Sequence, residues 1–201
     1  MIQSQVLYKK TITLTLDILL KQFIQEDIFL NHDKTLSLDL FSTNTEICAI
    51  CFKNEELLFL KKHQKKFLKL VNLNQDPNIE KPLIMFKLES FINDFFHGKK
   101  PDKSDLPILW LGTDFQKSVL EKLLLTNYGE QITYKKLAES IGLKNGFQAI
   151  GQAVRNNPIS ILIPCHRVVS SYEKAPKSSF FFGQVSQMKS LLRNLEIQTL
   201  V

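Results

Sequence analysis

The sequence predicts an α+β protein: a small mixed α/β half followed by a mostly helical half. Three observations predict it. Residues 6–16 and 45–53 alternate polar and apolar side chains with the two-residue period of a strand. From residue 112 onward the apolar side chains recur every three or four positions instead. Between the two patterns lies His97–Pro107 (HGKKPDKSDLP), with two Pro, one Gly and five charged residues. These features divide the chain into an N-terminal α/β domain (1–97), a linker (98–111) and a second domain (112–201).

Composition narrows the function classes. The 201 residues are 44% hydrophobic and 23% charged, with seven Gly and seven Pro, which excludes wholesale disorder and collagen-like architecture. No apolar run approaches the roughly 18 residues that span a bilayer, so no membrane partner is expected. Lys9, Lys10 and Asp17 interrupt the opening segment, which therefore reads as part of the fold rather than a leader. Three cysteines, an odd number, fit a reducing cytoplasmic setting. The net charge of +6 is uneven: residues 1–111 carry 15 basic and 14 acidic side chains, residues 112–201 carry 11 and 6. The excess sits in the second half, as a polyanion-binding region would have it.

In chain order, VLYKKTITLTL predicts a strand or hairpin, with Thr11, Thr13 and Thr15 opposed to Ile12, Leu14 and Leu16. TEICAICFK predicts another strand. Residues 55–71 predict a helix with a basic outer face, and residues 82–97 a strand followed by a short helix. Thr113 and Gln116 fit a capping box that opens a helix ending at Tyr128-Gly129. Thr133 caps a helix from Tyr134 to Ile141, closed by Gly142. Asn145 with Gln148 opens a helix running from about Gly146 to Arg155. In this last helix Phe147, Ile150 and Val154 share one face, while Gln148, Gln152 and Arg155 share another. Two short helices around a Gly-containing turn fit a helix-turn-helix whose second member offers amides and an Arg to a DNA groove. An αα-hairpin packed in an ordinary core fits the same segment.

The chemistry concentrates in Asn157-Pro158-Ile159-Ser160-Ile161-Leu162-Ile163-Pro164-Cys165-His166-Arg167-Val168-Val169. A thiol followed by two cationisable side chains behind an apolar run suits a nucleophilic thiolate. It equally suits a buried Cys followed by a surface His-Arg pair. In an extended chain successive side chains point to opposite sides, so His166 would reach the sulfur only through water or a bend.

The motifs GTDFQKSVLEKL, YGEQITYKKLAESIG, AIGQAVRNNP and ILIPCHRVV, in this order between Gly112 and Glu196, resemble the methylated-DNA–protein-cysteine methyltransferases (O6-alkylguanine-DNA alkyltransferases). The resemblance implies a ribonuclease H-like N-terminal domain and a winged-helix-like C-terminal one. It implies single-turnover transfer of an alkyl group from guanine O6 in double-stranded DNA to Cys165, with O4-alkylthymine a further candidate substrate, by a cofactor-free, metal-free monomer. In that scheme His166 takes the thiol proton through water, Glu196 orients His166, Tyr134 donates to the leaving base, and Asn157 is the hinge. Thr133, Phe147, Gln148, Gln152, Arg155 and Arg167 would contact DNA, and Phe182 and Gly183 would line the pocket with Tyr134. Gln148 stands where relatives carry an Arg that fills the gap left by the extruded base, and Phe147 is then a candidate apolar wedge.

Three other readings stay open at this level: an alkyltransferase-like protein that binds lesions without reaction, a helix-turn-helix regulator, and a cysteine hydrolase, against which the adjacency of Cys165 and His166 counts. Retention of the Cys in PCHR favours the enzyme over the first. The CxxC formed by Cys48 and Cys51 lacks companion ligands at metal spacing, and its odd spacing in a strand predicts sulfurs on opposite faces. His32, His63 and His97 and the basic run 61–69 carry no assigned role.

Overall fold

A computed structural model describes residues 5–15, 35–52, 71–73, 80–144, 146–171 and 183–200. Four strands form the first sheet: β1 (Gln5–Thr15), β2 (Thr35–Ser42), β3 (Ile47–Phe52) and β4 (Val71–Leu73). Their order is β3-β2-β1-β4, with β4 parallel to β1 and the other pairs antiparallel. The alternation read from the sequence sets the register. Ile12 lies opposite Leu38 and Leu14 opposite Leu36, so one face of the sheet is aliphatic. Thr11 and Thr13 point away from it and meet Asp39 and Ser37.

Helix α1 (Leu83–Phe96) covers the aliphatic face. Its buried side chains, Ile84, Met85, Leu88, Phe91, Ile92, Phe95 and Phe96, follow the i, i+3, i+4 spacing of a single helical stripe. The strand-plus-helix expected over 82–97 is thus one helix. Leu83 and Phe86, 70% and 51% exposed, stand outside the stripe and gave LIMF its strand-like look. The helix expected over 55–71, His32, His63 and the basic run 61–69 lie outside the described residues, except that Val71 belongs to β4. His97 closes α1, its ring nitrogen Nδ1 2.7 Å from the Asn93 carbonyl oxygen.

The other face of the sheet buries Leu7, Phe41, Cys48, Ala49, Cys51 and Leu111. Cys48 and Cys51 therefore share a face, contrary to the expectation from their spacing. The reason is a β-bulge: Phe41 pairs with Ala49 but Ser42 pairs with Ile47, leaving Cys48 as the extra residue. Residues 98–111 run beside the edge of β3, where the Ile47 amide donates to the Pro107 carbonyl and the Leu109 amide to the Ile47 carbonyl.

Beyond residue 112 come α2 (Asp114–Leu124), β5 (Ile132–Thr133), α3 (Tyr134–Ser140), α4 (Phe147–Arg155), a 3₁₀ turn (Cys165–Arg167), β6 (Val168–Val169) and α5 (Gly183–Thr199). β5 and β6 pair in parallel. Thr113 and Thr133 cap α2 and α3 through the amides of Gln116 and Lys136, as their sequence context predicts. Helix α2 stops at Leu124, four residues before the expected Tyr128-Gly129, and Gly129 serves instead in the following turn with φ +76°. A Cβ there would come within 2.3 Å of Leu200. Helix α4 opens on Gly146 without a side-chain cap; Asn145 lies outside the described residues. Ile150, Ala153 and Val154 are its buried face, whereas Phe147, expected on that face, is 46% exposed. No helix among the described residues is long and apolar enough to cross a membrane.

Burial, helped by the Glu46 charge, pushes the Cys48 thiol up to about 12. Iodoacetamide at pH 8 is expected to leave Cys48 unlabelled in the native protein and to label it in urea. Equal labelling in both, read by peptide mass spectrometry, would contradict this packing.

Candidate active site

The segment after α4 is held by one asparagine. The Asn157 side-chain Nδ2 donates to the Ile163 carbonyl at 2.8 Å, and its Oδ1 accepts from the Ile159 amide at 3.0 Å. The loop between them is tight: Ile161 has φ +74°, a left-handed conformation that β-branched residues rarely adopt. The Ile163 carbonyl also accepts from the Cys165 amide at 2.8 Å. Asn157 is thereby two hydrogen bonds from the residue whose placement it fixes.

Cys165, His166 and Arg167 form the 3₁₀ turn, not an extended strand, so the opposed side chains expected of neighbours do not apply. Cys165 is 8% exposed. His166 is wholly buried, and its Nε2 lies 2.9 Å from Oε1 of Glu196 on α5. Phe95 of α1 meets the imidazole edge-on, with centroids 5.9 Å apart.

Arg167 corrects a sequence expectation. Placed at the DNA surface by its resemblance, it is instead 6% exposed and turned inward. Its Nε and Nη2 donate to the two Glu196 oxygens at 2.8–3.2 Å, and its Nη1 donates to the Thr126 carbonyl and hydroxyl at 2.7 and 3.0 Å. The Gly129 amide gives Glu196 a further hydrogen bond at 3.0 Å. Arg193, one turn before Glu196, donates to the His166 carbonyl at 3.1 Å. Thr126, Gly129, Arg193 and Phe95 were not found from the sequence. Of these only Gly129 left a signal, a glycine in a turn.

The electrostatics follow from this arrangement. Burial alone would raise the Glu196 carboxyl, but hydrogen bonds from His166 and Arg167 outweigh it and hold the group at about 2. Burial lowers His166, and the Arg167 charge adds to that against the pull of Glu196. A neutral imidazole whose Nε2 faces an ionised carboxylate must carry its proton on Nε2. Nδ1 then presents a lone pair, and it has no protein partner among the described residues.

Tyr134, half-buried, opens α3 directly after its cap Thr133. Gln148, Gln152 and Arg155 are exposed along α4, and Gln152 reaches Asn156. Gly183 begins α5, while Phe182 lies outside the described residues. A cleft of about 290 Å³ lies on the Arg167–Glu196 side of the cluster, between Phe91, Lys103 and Tyr128. Cys165 and Tyr134 do not line it.

Fold and site together define a mixed α/β protein with a cysteine on a turn locked by buried charge. Residues 114–196 match the family described as 6-O-methylguanine DNA methyltransferase, DNA binding domain. A methylated-DNA–protein-cysteine methyltransferase of Methanosarcina barkeri is 49% identical over 77 residues, 38% of this chain and 48% of that protein. The constitutive enzyme of that name from Bacillus subtilis is 32% identical over 105 residues, 52% of this chain and 61% of its own. A crystal structure of a Mycobacterium tuberculosis OGT variant superposes with a TM-score of 0.59 at 25% identity, covering 80% of this chain and 86% of that one. By sequence the chain spans about half the length of the curated relatives it matches. The likeness to methylated-DNA–protein-cysteine methyltransferases is concentrated in residues 114–196.

Two outcomes test the charge cluster. Glu196→Gln leaves Arg167 buried without its counter-charge and is expected to cost about 3–5 kcal/mol in urea unfolding; a loss under 1 kcal/mol would contradict the geometry. Both shifted groups are protonated more readily in the unfolded chain. Stability should therefore hold above pH 6.5, fall as pH drops below that value through His166, and fall again from 4.5 toward 2 through Glu196. A urea midpoint that rises on acidification through this window would refute the assignment.

Proposed function

We propose that the protein repairs DNA by transferring an alkyl group, methyl above all, from guanine O6 to its own Cys165, irreversibly and once per molecule. The observation that carries this is the tie of His166 Nε2, in the residue after Cys165, to Glu196, which leaves Nδ1 without a protein partner among the described residues. The thiol proton passes through water to Nδ1, and Glu196 stabilises the resulting imidazolium. The thiolate sulfur attacks the alkyl carbon; a sulfur–carbon bond forms as the carbon–O6 bond breaks. Guanine leaves as an anion, protonated by the Tyr134 hydroxyl at its ring edge. The thioether has no leaving group for water to displace, so Cys165 stays capped.

The partner on this reading is double-stranded DNA containing O6-alkylguanine, with O4-alkylthymine as a second candidate. Helix α4 presents Gln148, Gln152 and Arg155 to the duplex, Thr133 and Lys135 lie at the start of α3, and the base turns out of the stack to reach Cys165. Phe147, exposed at the head of α4, fits the apolar wedge, and Gln148 the hydrogen-bonding filler of the vacated space. The resemblance adds Phe182 and Gly183 as residues that would line the pocket with Tyr134.

The same reading divides the chain into 1–97, 98–111 and 112–201. The β3-β2-β1-β4 order with β4 parallel to β1 supports a ribonuclease H-like first domain, and the β5–β6 pair beside the helix-turn-helix a winged-helix-like second one. A monomer in a reducing cytoplasm fits three free cysteines. The lesion-binding and regulator readings give no use to the His166–Glu196 arrangement.

Incubation with a duplex containing O6-methylguanine should add one methyl mass to the intact protein, on the peptide holding Cys165, and Cys165→Ala should abolish the addition while retaining DNA binding. Catalytic turnover, or an unmodified Cys165 after prolonged exposure, would overturn the proposal.

A further inference from the structure

Gln116 was expected to complete a capping box by reaching back to Thr113. Its amide points elsewhere. Nε2 donates to the Asn156 carbonyl at 2.7 Å and approaches the Ala153 carbonyl at 3.5 Å. Both carbonyls belong to the C-terminal end of α4, where helical acceptors lack intrahelical donors. The Asn156 carbonyl is half of the peptide bond that leads into Asn157. From there the contacts continue: Asn157 to the Ile163 carbonyl, and the Ile163 carbonyl to the Cys165 amide. One side chain on α2 thus grips the junction between the DNA-facing helix and the segment carrying the thiol.

The residue before the cap is shaped for this grip. A Cβ on Gly112 would stand 2.3 Å from Oε1 of Gln116 and 2.9 Å from its Cδ, so only glycine leaves the amide where it is.

We infer that Gln116 is a positioning residue that fixes the angle between α4 and the Asn157–Cys165 segment, so that a duplex held by α4 delivers its extruded base to the sulfur. This rests on the alkyl-transfer reading for its functional consequence. A duplex must be gripped by α4 and reach Cys165 at the same time. A free base needs only Cys165. The requirement for Gln116 is therefore specific to duplex substrate.

The test compares Gln116→Ala, Gln116→Lys and Gly112→Ala with the unaltered protein. Three readouts are taken: the Cys165 alkylation rate with O6-methylguanine duplex, the rate with free O6-benzylguanine, and hydrogen–deuterium exchange of the 152–157 amides. For Gln116→Ala and Gly112→Ala the duplex rate should fall roughly three- to tenfold, the factor expected for losing one or two neutral hydrogen bonds. The free-base rate should stay within about twofold on the same scale, and the 152–157 amides should exchange faster. Gln116→Lys, whose ammonium can donate to carbonyls at a helix C-terminus, should recover most of the duplex rate and the protection. Equal losses on both substrates, or unchanged exchange at 152–157, would overturn the inference. If the unaltered protein alkylates Cys165 with neither substrate, the functional reading fails, and the exchange data still decide whether Gln116 holds the junction.

Discussion

The site depends on a single buried ion pair. The Glu196 carboxylate is held by Arg167 through both of its oxygens, by the Gly129 amide and by His166. One negative charge thereby meets one guanidinium. A protonated His166 would add a second cation to a buried cluster, so the imidazole stays neutral and its proton sits on Nε2. The geometry of the 3₁₀ turn, the tautomer of the base and the position of α5 all follow from that balance. Arg167 is thus a positioning residue: it acts on the sulfur's neighbour through Glu196.

The N-terminal half contributes more than bulk. Phe95 packs its ring against His166 and Tyr128, closing the low-dielectric side of the cluster. The edge of β3 meets the thiol-bearing segment directly, the Ile50 amide donating to the Pro158 carbonyl at 3.0 Å. One apolar cluster runs from the Ile12–Leu40 face of the sheet through Phe95 to Cys165 and Leu195. The sheet and α1 therefore back the turn that holds Cys165, although no motif in residues 1–97 points to it.

What was legible in the sequence followed from local rules. Strands β1 and β3 showed in their alternation, α3 in the Thr133 cap and the Gly142 stop, and the His166–Glu196 pair in motifs that resemble the alkyltransferases. The failures came from interactions that no local pattern encodes. Arg167 reads as a surface cation until a carboxylate 29 positions later is found beside it. Cys48 and Cys51 share a face only because a bulge adds one residue to β3. Helix α1 was obscured by Leu83 and Phe86, apolar side chains on its solvent side. Gln116 fits a capping box in sequence, yet the nearby end of α4 offers its amide two carbonyls.

A buried, neutral His166 bound through Nε2 to Glu196 leaves Nδ1 with a free lone pair. Nitrogen-15 NMR of the imidazole in the unalkylated protein at pH 7 measures this directly. The account requires a protonated Nε2, coupled to its hydrogen, and an unprotonated Nδ1 with the shift of a lone-pair nitrogen. An imidazolium at that pH, or a proton on Nδ1, would contradict it.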